Sequence, residues 1–238
     1  MSSNAPLSVV IPTRNTCSLI LDCLRALASD SPQCTEVVVV DDGGSDGTAE
    51  AVRAGHPTAR VVRLDRQAGY SAAVNRGAAE AGGGILLLLN SDTEVDPGAL
   101  EALLAAFEQR PRLGIAGAQL RYPDGRPQWS GGPRPSGRWL LALSSGVAIL
   151  LGRLPGWRRL RPPSGAAAGQ VDWVTGAAMA LRREVWDQVG PFDEGYRFYC
   201  QDLALCTAAR AAGWEVAVVP GFTVMHHHGA SISSRQGA

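Results

Sequence analysis

The sequence predicts an α/β protein in which a mostly parallel central sheet is flanked by helices. Short apolar runs with little polar alternation recur along the first half, as expected of strands covered on both faces. Between them lie stretches whose apolar residues fall three and four apart, the spacing of helices that bury one face. The 238 residues, 45% of them hydrophobic, are enough to bury one sizeable core.

The strands are read at Leu7 to Pro12 (LSVVIP), Glu36 to Asp42 (EVVVVDD), Ala59 to Asp65 (ARVVRLD) and Gly84 to Asn90 (GILLLLN). The helices are read in SLILDCLRALA, TAEAVRAG and YSAAVNRGAAEAGG, where Gly closes the last two patterns. Strands alternating with helices imply parallel crossovers, and in such sheets ligands bind beyond the carboxyl ends of the strands. The polar residues that stand out lie at those ends: Thr13 after the first strand, Asp41 and Asp42 after the second, and Asp92 after the fourth.

In DDGGSDGT the glycines allow backbone with positive φ, and Asp46 or Thr48 is placed to cap the next helix. A turn and a cap would explain the glycines and one acid, but not both carboxylates of Asp41 and Asp42. An aspartate at a strand end can also accept hydrogen bonds from a nucleobase or from ribose hydroxyls. Asn90-Ser91-Asp92 closes the strand ILLLL; on these residues alone it reads first as a turn, with a cation site as the alternative. Magnesium and manganese take hard oxygen ligands and need only one or two carboxylates when phosphate oxygens complete the shell.

Composition excludes several classes. The formal net charge is zero, which lacks the basic footprint of a nucleic-acid partner. Five cysteines, Cys17, Cys23, Cys34, Cys200 and Cys206, have neither CxxC spacing nor a disulfide-like framework, and are expected to be reduced thiols of a cytoplasmic protein. The N-terminus lacks the pattern of a secretory signal, and no run reaches the roughly 18 to 20 apolar residues that span a bilayer, so a soluble protein is expected. No GxGxxG follows the first strand, which disfavours a dehydrogenase.

Five stretches taken together carry a family resemblance: SVVIPTRN, VVVVDDGGSDGT, GYSAAVNRGAAEAGGGILLLLNSDTEVDPGAL, VTGAAMALRREVWDQVGPFDEGYRFYCQDLALCTAARAAGWEVAVVP and VMHHHGAS. Their order and spacing resemble glycosyltransferase family 2, and within it the bacterial rhamnosyltransferase-like branch. The resemblance covers about residues 7 to 232, with about 126 to 170 weakly matched. It implies a single domain of the GT-A type over residues 1–238, with a nucleotide-binding half over about 1–95, an acceptor and catalytic half over about 96–238, and a variable helical insert at about 126–170. It also implies inverting transfer of a sugar from a nucleoside-diphosphate donor, UDP- or dTDP-linked, with Mn2+ or Mg2+ as cofactor. The acceptor would be a glycan, a lipid-linked sugar or a small-molecule aglycone, in cell-surface glycan or natural-product synthesis.

Carried onto this chain, the resemblance implies that Pro12, Thr13, Asp41, Asp42, Gly69, Asn75 and Asn90 line the nucleotide pocket, that Asp92 binds the metal, and that Asp202 is the general base. The chain departs from the family at the last site: Gln201 stands where a Glu usually precedes the base, and Ala204 where an Asp usually follows. In HHH the family's metal-binding histidine, five residues before the Ser of Gly-x-Ser, falls on His226, with His228 on the same face in reserve. Trp173 and Trp214 are read as core or pocket-wall aromatics.

Trp139 to Leu151, followed by Arg153, Trp157, Arg158, Arg159 and Arg161, fits an interfacial helix touching anionic lipid at the inner face of the membrane. It also fits a mobile lid, a homodimer contact or a buried helix with a basic end. A sugar nucleotidyltransferase and a sugar-nucleotide-binding protein without turnover are the rival readings. The first usually has a glycine-rich basic signature after its first strand, and IPTRNTCSL has none.

Overall fold

The computed structural model describes residues 7–30, 35–134, 168–196 and 199–227. Its first half alternates as the sequence predicts: β1 (Leu7–Thr13), α1 (Cys17–Asp30), β2 (Thr35–Asp41), α2 (Thr48–Gly55), β3 (Arg60–Arg63), α3 (Tyr70–Glu80) and β4 (Ile85–Leu89). There follow β5 (Thr93–Val95), α4 (Ala99–Gln109), β6 (Leu113–Arg121), β7 (Gly131–Gly132), β8 (Gly169–Gln170), β9 (Trp173–Val174) and β10 (Ala178–Arg182). The last elements are α5 (Arg183–Val189), α6 (Gln201–Ala211) and β11 (Glu215–His226). The segment read over Trp139 to Arg161, and with it the lipid-facing, lid and homodimer readings, lies outside the described residues, as do Cys34 and His228.

The large sheet has the order β3-β2-β1-β4-β10-β6-β11-β5, with β8 also against β11. Strands β1 to β4 are parallel to one another, and β6 is parallel to β11. Strand β10 runs antiparallel between β4 and β6, with Ala178 opposite Leu89. This reversal matters for function, because an antiparallel strand begins where its neighbours end. The loop before β10 is thereby delivered to the carboxyl edge of β4, where Asn90 N–H donates to Ala177 O at 2.9 Å.

The period of two in the strands sorts the core into two layers. Leu7, Val9, Ile11, Leu87 and Leu89 face α1 and α4, whose Leu24, Leu27, Leu103 and Phe107 cover them. Val10, Leu86, Leu88, Met179 and Leu181 face the other way, beneath Val74 of α3, Val185 of α5 and Leu205 of α6. Trp214 packs at the rim of this second layer and donates its indole N–H to Gln188. Trp173 packs there too, edge to face with Trp129 at 4.8 Å.

Helix α3 lies close to the sheet because of Gly77. A methyl group at that position would sit 2.4 Å from Val10 Cγ1 and 2.9 Å from Val40 Cγ2. Gly77→Ala is therefore expected to cost about 1–3 kcal/mol of stability, the usual range for overpacking. The check is the urea midpoint, and an unchanged midpoint would mean that α3 has room to shift.

The N-cap of α2 is Gly47, neither Asp46 nor Thr48 as read from the sequence, although Asp46 binds the first turn. Asp46 accepts from Thr48 N–H at 3.1 Å and from Thr48 Oγ1 at 2.5 Å, while its other oxygen takes Cys17 N–H at 3.1 Å. Thr48 is itself the first helical residue and cannot be the cap; its hydroxyl is spent on Asp46. One carboxylate thus ties the starts of α1 and α2 together. Among the described residues no helix is long and apolar enough to cross a membrane. The described cysteines, Cys17, Cys23, Cys200 and Cys206, are free thiols, and burial pushes the Cys23 and Cys206 thiols up to about 12.

Candidate active site

The carboxyl edge of β1, β2 and β4 opens into a cleft of about 140 Å³. Its walls include Pro12, Thr13, Asp42 and Asn90, four of the residues carried over from the family, together with Arg14, Thr16, Tyr70, Ala73 and Ser91. Thr13, Thr16 and Ser91 are buried and form a chain of hydroxyls, 2.7 Å and 3.1 Å apart, that holds the end of β1 to the end of β4.

The two adjacent aspartates have different surroundings. Asp42 accepts Ala68 N–H at 2.6 Å and Gly69 N–H at 3.0 Å, which fixes the loop before α3 and places its carboxylate in the cleft wall. Asp41 turns the other way. Its Oδ1 accepts Gly44 N–H at 2.8 Å and its Oδ2 lies 3.7 Å from Arg63 Nε, so it shapes the glycine turn from behind the cleft. Gly43 in that turn has φ +67°, and a Cβ there would meet the Arg66 backbone at 2.6 Å. Only glycine fits this close approach.

Gly69 borders a neighbouring cavity of about 420 Å³ that also includes Glu194 and Tyr196 and meets the cleft at Tyr70. Asn75 lines neither cavity but bonds to Glu194, which lines the second. Its Nδ2 donates to Phe192 O at 2.9 Å and to Glu194 Oε1 at 3.0 Å, and its Oδ1 accepts Phe192 N–H at 2.9 Å. With both ends of the amide engaged, Asn75 clamps the loop after α5 onto α3.

Beyond Asn90 and Ser91, the chain turns Asp92 inward, 3% exposed, toward His226 at the end of β11. The pairing of β11 with β5 puts His226 opposite Thr93, and His226 Nε2 lies 3.4 Å from Asp92 Oδ1. Its other ring nitrogen, Nδ1, is 2.7 Å from Gln128 Oε1. His227 faces away and meets Glu94 at 2.8 Å, so consecutive histidines do alternate faces. A buried carboxylate and an imidazole nitrogen converging on one point suit a manganese or magnesium ion chemically. Among the described residues no group of three or more His, Cys, Asp or Glu side chains gathers about one point. These two residues would therefore hold the cation as a partial shell.

Asp202 lies in the first turn of α6 and is linked through Gly176 to Tyr70 of the cleft wall. Its Oδ2 accepts Gly176 N–H at 3.0 Å and its Oδ1 accepts Leu203 N–H at 2.8 Å. The N-cap is Cys200, which makes no side-chain cap bond, so Asp202 is not the cap itself. Burial raises the Asp202 carboxyl above the usual carboxylate range, and the backbone N–H groups of Gly176 and Leu203 oppose that rise only in part. Gln201 beside it is 8% exposed, and its Oε1 has no hydrogen-bond partner among the described residues.

Tyr70 joins the parts, and the sequence offered no reason to single it out. Its ring walls the cleft, and its hydroxyl donates to Gly176 O at 2.9 Å, the same peptide region that holds Asp202. Burial raises its phenol first, and the carboxylates of Asp202 and Asp92 raise it further. Arg14 was missed as well: its Nε is buried and without a hydrogen-bond partner among the described residues. Only its place in IPTRN, beside Pro12 and Thr13, could have flagged it.

Residues 8–186 match the family model described as glycosyl transferase family 2. The N-acetylglucosaminyl-diphospho-decaprenol L-rhamnosyltransferase of Mycobacterium tuberculosis is 31% identical over 224 residues, covering 85% of this chain and 69% of the relative. Among solved structures, GalNAc-T7 with UDP, GalNAc and Mn2+ superposes with a TM-score of 0.68 at 18% identity, over 95% of this chain and 44% of that one. The mannosyltransferase PcManGT from Pyrobaculum calidifontis, in complex with GDP-Man and Mn2+, gives 0.62 at 20% identity, over 94% and 57%. The chain thus spans about half the length of these two structures, whose likeness establishes the GT-A fold. On the family match and the rhamnosyltransferase relative together, the chain belongs to glycosyltransferase family 2, in its rhamnosyltransferase-like branch.

Proposed function

We propose that this protein is a metal-dependent, inverting glycosyltransferase that moves a sugar from a UDP- or dTDP-linked donor to an acceptor hydroxyl. The observation that carries the proposal is the alignment of three chemistries along one sheet edge: the cleft walled by Asp42 and Asn90, the Asp92–His226 pair, and Asp202, with Tyr70 between cleft and base. Asp42 and the hydroxyls of Thr13, Thr16 and Ser91 would receive the nucleoside. Asp92 and His226 would hold Mn2+ or Mg2+, which when bound neutralises charge developing on the departing diphosphate. Asp202 would take the proton of the attacking hydroxyl from the opposite side of the donor sugar, and a single displacement of that kind inverts the anomeric centre.

The M. tuberculosis relative is named for transfer onto a diphospho-decaprenol-linked sugar, which supports a lipid-linked glycan acceptor and synthesis of a cell-surface polymer. On this reading the protein works in the cytoplasm, at the inner face of the membrane where such an acceptor resides. The test is consumption of a panel of nucleoside-diphosphate sugars with and without manganese, with product stereochemistry read by NMR. Donor binding without turnover, on any acceptor of the classes named, would favour the inactive binding-protein reading instead.

Binding in the absence of metal separates the roles of the two adjacent aspartates. Asp42→Ala is expected to weaken uridine or thymidine diphosphate binding about tenfold or more, the cost of losing a charged hydrogen-bond acceptor. Asp41→Ala acts through the Gly44 turn and should weaken binding less. Calorimetry decides it: equal affinity of Asp42→Ala and parent would move the nucleoside out of this cleft.

A further inference from the structure

We infer that Gln128 is a positioning residue for His226: its side-chain carbonyl accepts a hydrogen bond from Nδ1–H and leaves Nε2, on the Asp92 side, as the coordinating atom. The inference rests on the metal reading of the Asp92–His226 pair and adds to it a residue that belongs to none of the five family stretches. A neutral imidazole has one N–H and one lone pair, so the partner of one nitrogen decides the role of the other. Gln128 Oε1 lies 2.7 Å from Nδ1 and can only accept, whereas Nε2 lies 3.4 Å from a carboxylate oxygen. A lone pair beside a carboxylate is unfavourable unless a cation or proton lies between them, and that is the electrostatic condition a metal site requires.

The surroundings of Gln128 fit a fixed support. It is 5% exposed, its N–H donates to Leu120 O at 2.8 Å, and its carbonyl accepts Ser130 Oγ at 3.2 Å. Ser130 Oγ in turn accepts Leu120 N–H at 2.7 Å, so the backbone on both sides of Gln128 is pinned to β6. Gln128 Nε2 is buried and has no partner among the described residues. The contact with His226 is therefore the one that orients the amide. Turned end for end, the amide would give Nε2 a partner in Nδ1 and leave the ring proton on His226 Nε2 toward Asp92, and the tautomer measurement separates the two arrangements.

The test uses the full chain with manganese as probe, in the presence and absence of uridine diphosphate. Gln128→Leu should weaken manganese about ten- to a hundredfold, the usual effect of removing an outer-shell partner of a ligating histidine. It should leave metal-free uridine diphosphate binding unchanged. Gln128→Glu keeps an acceptor at the same reach and should retain manganese within a few-fold. Ring-nitrogen NMR of the metal-free protein gives a readout independent of activity: neutral His226 should carry its proton on Nδ1 in the parent and in Gln128→Glu, and on Nε2 in Gln128→Leu. Parent-like manganese affinity in Gln128→Leu, equal loss in both variants, or an Nε2–H parent would each overturn the inference. Asp92→Asn serves as the control: if it too binds manganese like the parent, the metal reading fails, while the tautomer measurement still decides the role of Gln128.

Discussion

Asp202→Asn is expected to fold, bind donor like the parent and lose sugar transfer by about a hundredfold or more, the usual cost of removing a positioned general base. Asparagine keeps an oxygen for Gly176 N–H or Leu203 N–H, the two bonds that hold the carboxylate now. Stability should not fall at neutral pH, and the sign can be worked out. Burial raises the Asp202 carboxyl in the folded state, so the folded chain holds that proton more tightly than the unfolded chain does. Stability is therefore lost as pH rises from the ordinary carboxylate range through the raised folded value, and Asn removes that loss. The parent's kcat/KM should fall on the acid side at a pH above the ordinary carboxylate range, and that limb should vanish from the residual activity of Asp202→Asn. Gln201→Glu adds a negative neighbour and should move the limb further up. Full transfer by Asp202→Asn would place the base elsewhere.

Asp92→Asn should abolish most of the manganese dependence of donor binding, because an amide oxygen is a far weaker ligand for a hard cation than a carboxylate. Among the described residues no group of three or more His, Cys, Asp or Glu side chains gathers about one point, so Asp92 is the carboxylate this reading relies on. Titration of manganese followed by uridine diphosphate is the measurement. Metal-free affinity should hardly change, since the carboxylate lies beside the cleft and does not wall it. Unchanged manganese affinity would remove the cation from this site.

The first half of the molecule was legible in the sequence because its signals are local. Uninterrupted runs such as Ile85 to Leu89 and the three-and-four spacing in α1 report burial directly, and β1 to β4 fall within a residue or two of where those runs place them. The residues at the strand ends were legible for the same reason: where a buried run stops at a polar residue, that residue stands at the sheet edge. Asn75 was not legible, because nothing in GYSAAVNRG indicates that both ends of its amide are claimed by Phe192 and Glu194, 117 and 119 residues away.

By itself the sequence determined the alternating α/β order, the strand-end carboxylates and, through five ordered motifs, the family. What only the tertiary structure decided was which of those groups share a space. Antiparallel β10 brings Gly176 to the edge of β4, α6 then presents Asp202 to it, and the pairing of β11 with β5 sets His226 against Asp92, with Gln128 on the other ring nitrogen. Asp41 and Asp42 are neighbours in sequence, yet successive backbone directions at a strand end send one behind the cleft and the other into its wall. The physical reason is the range of the forces: hydrophobic burial leaves a local period in the chain, while a hydrogen bond between residues 98 apart, as between Gln128 and His226, leaves none.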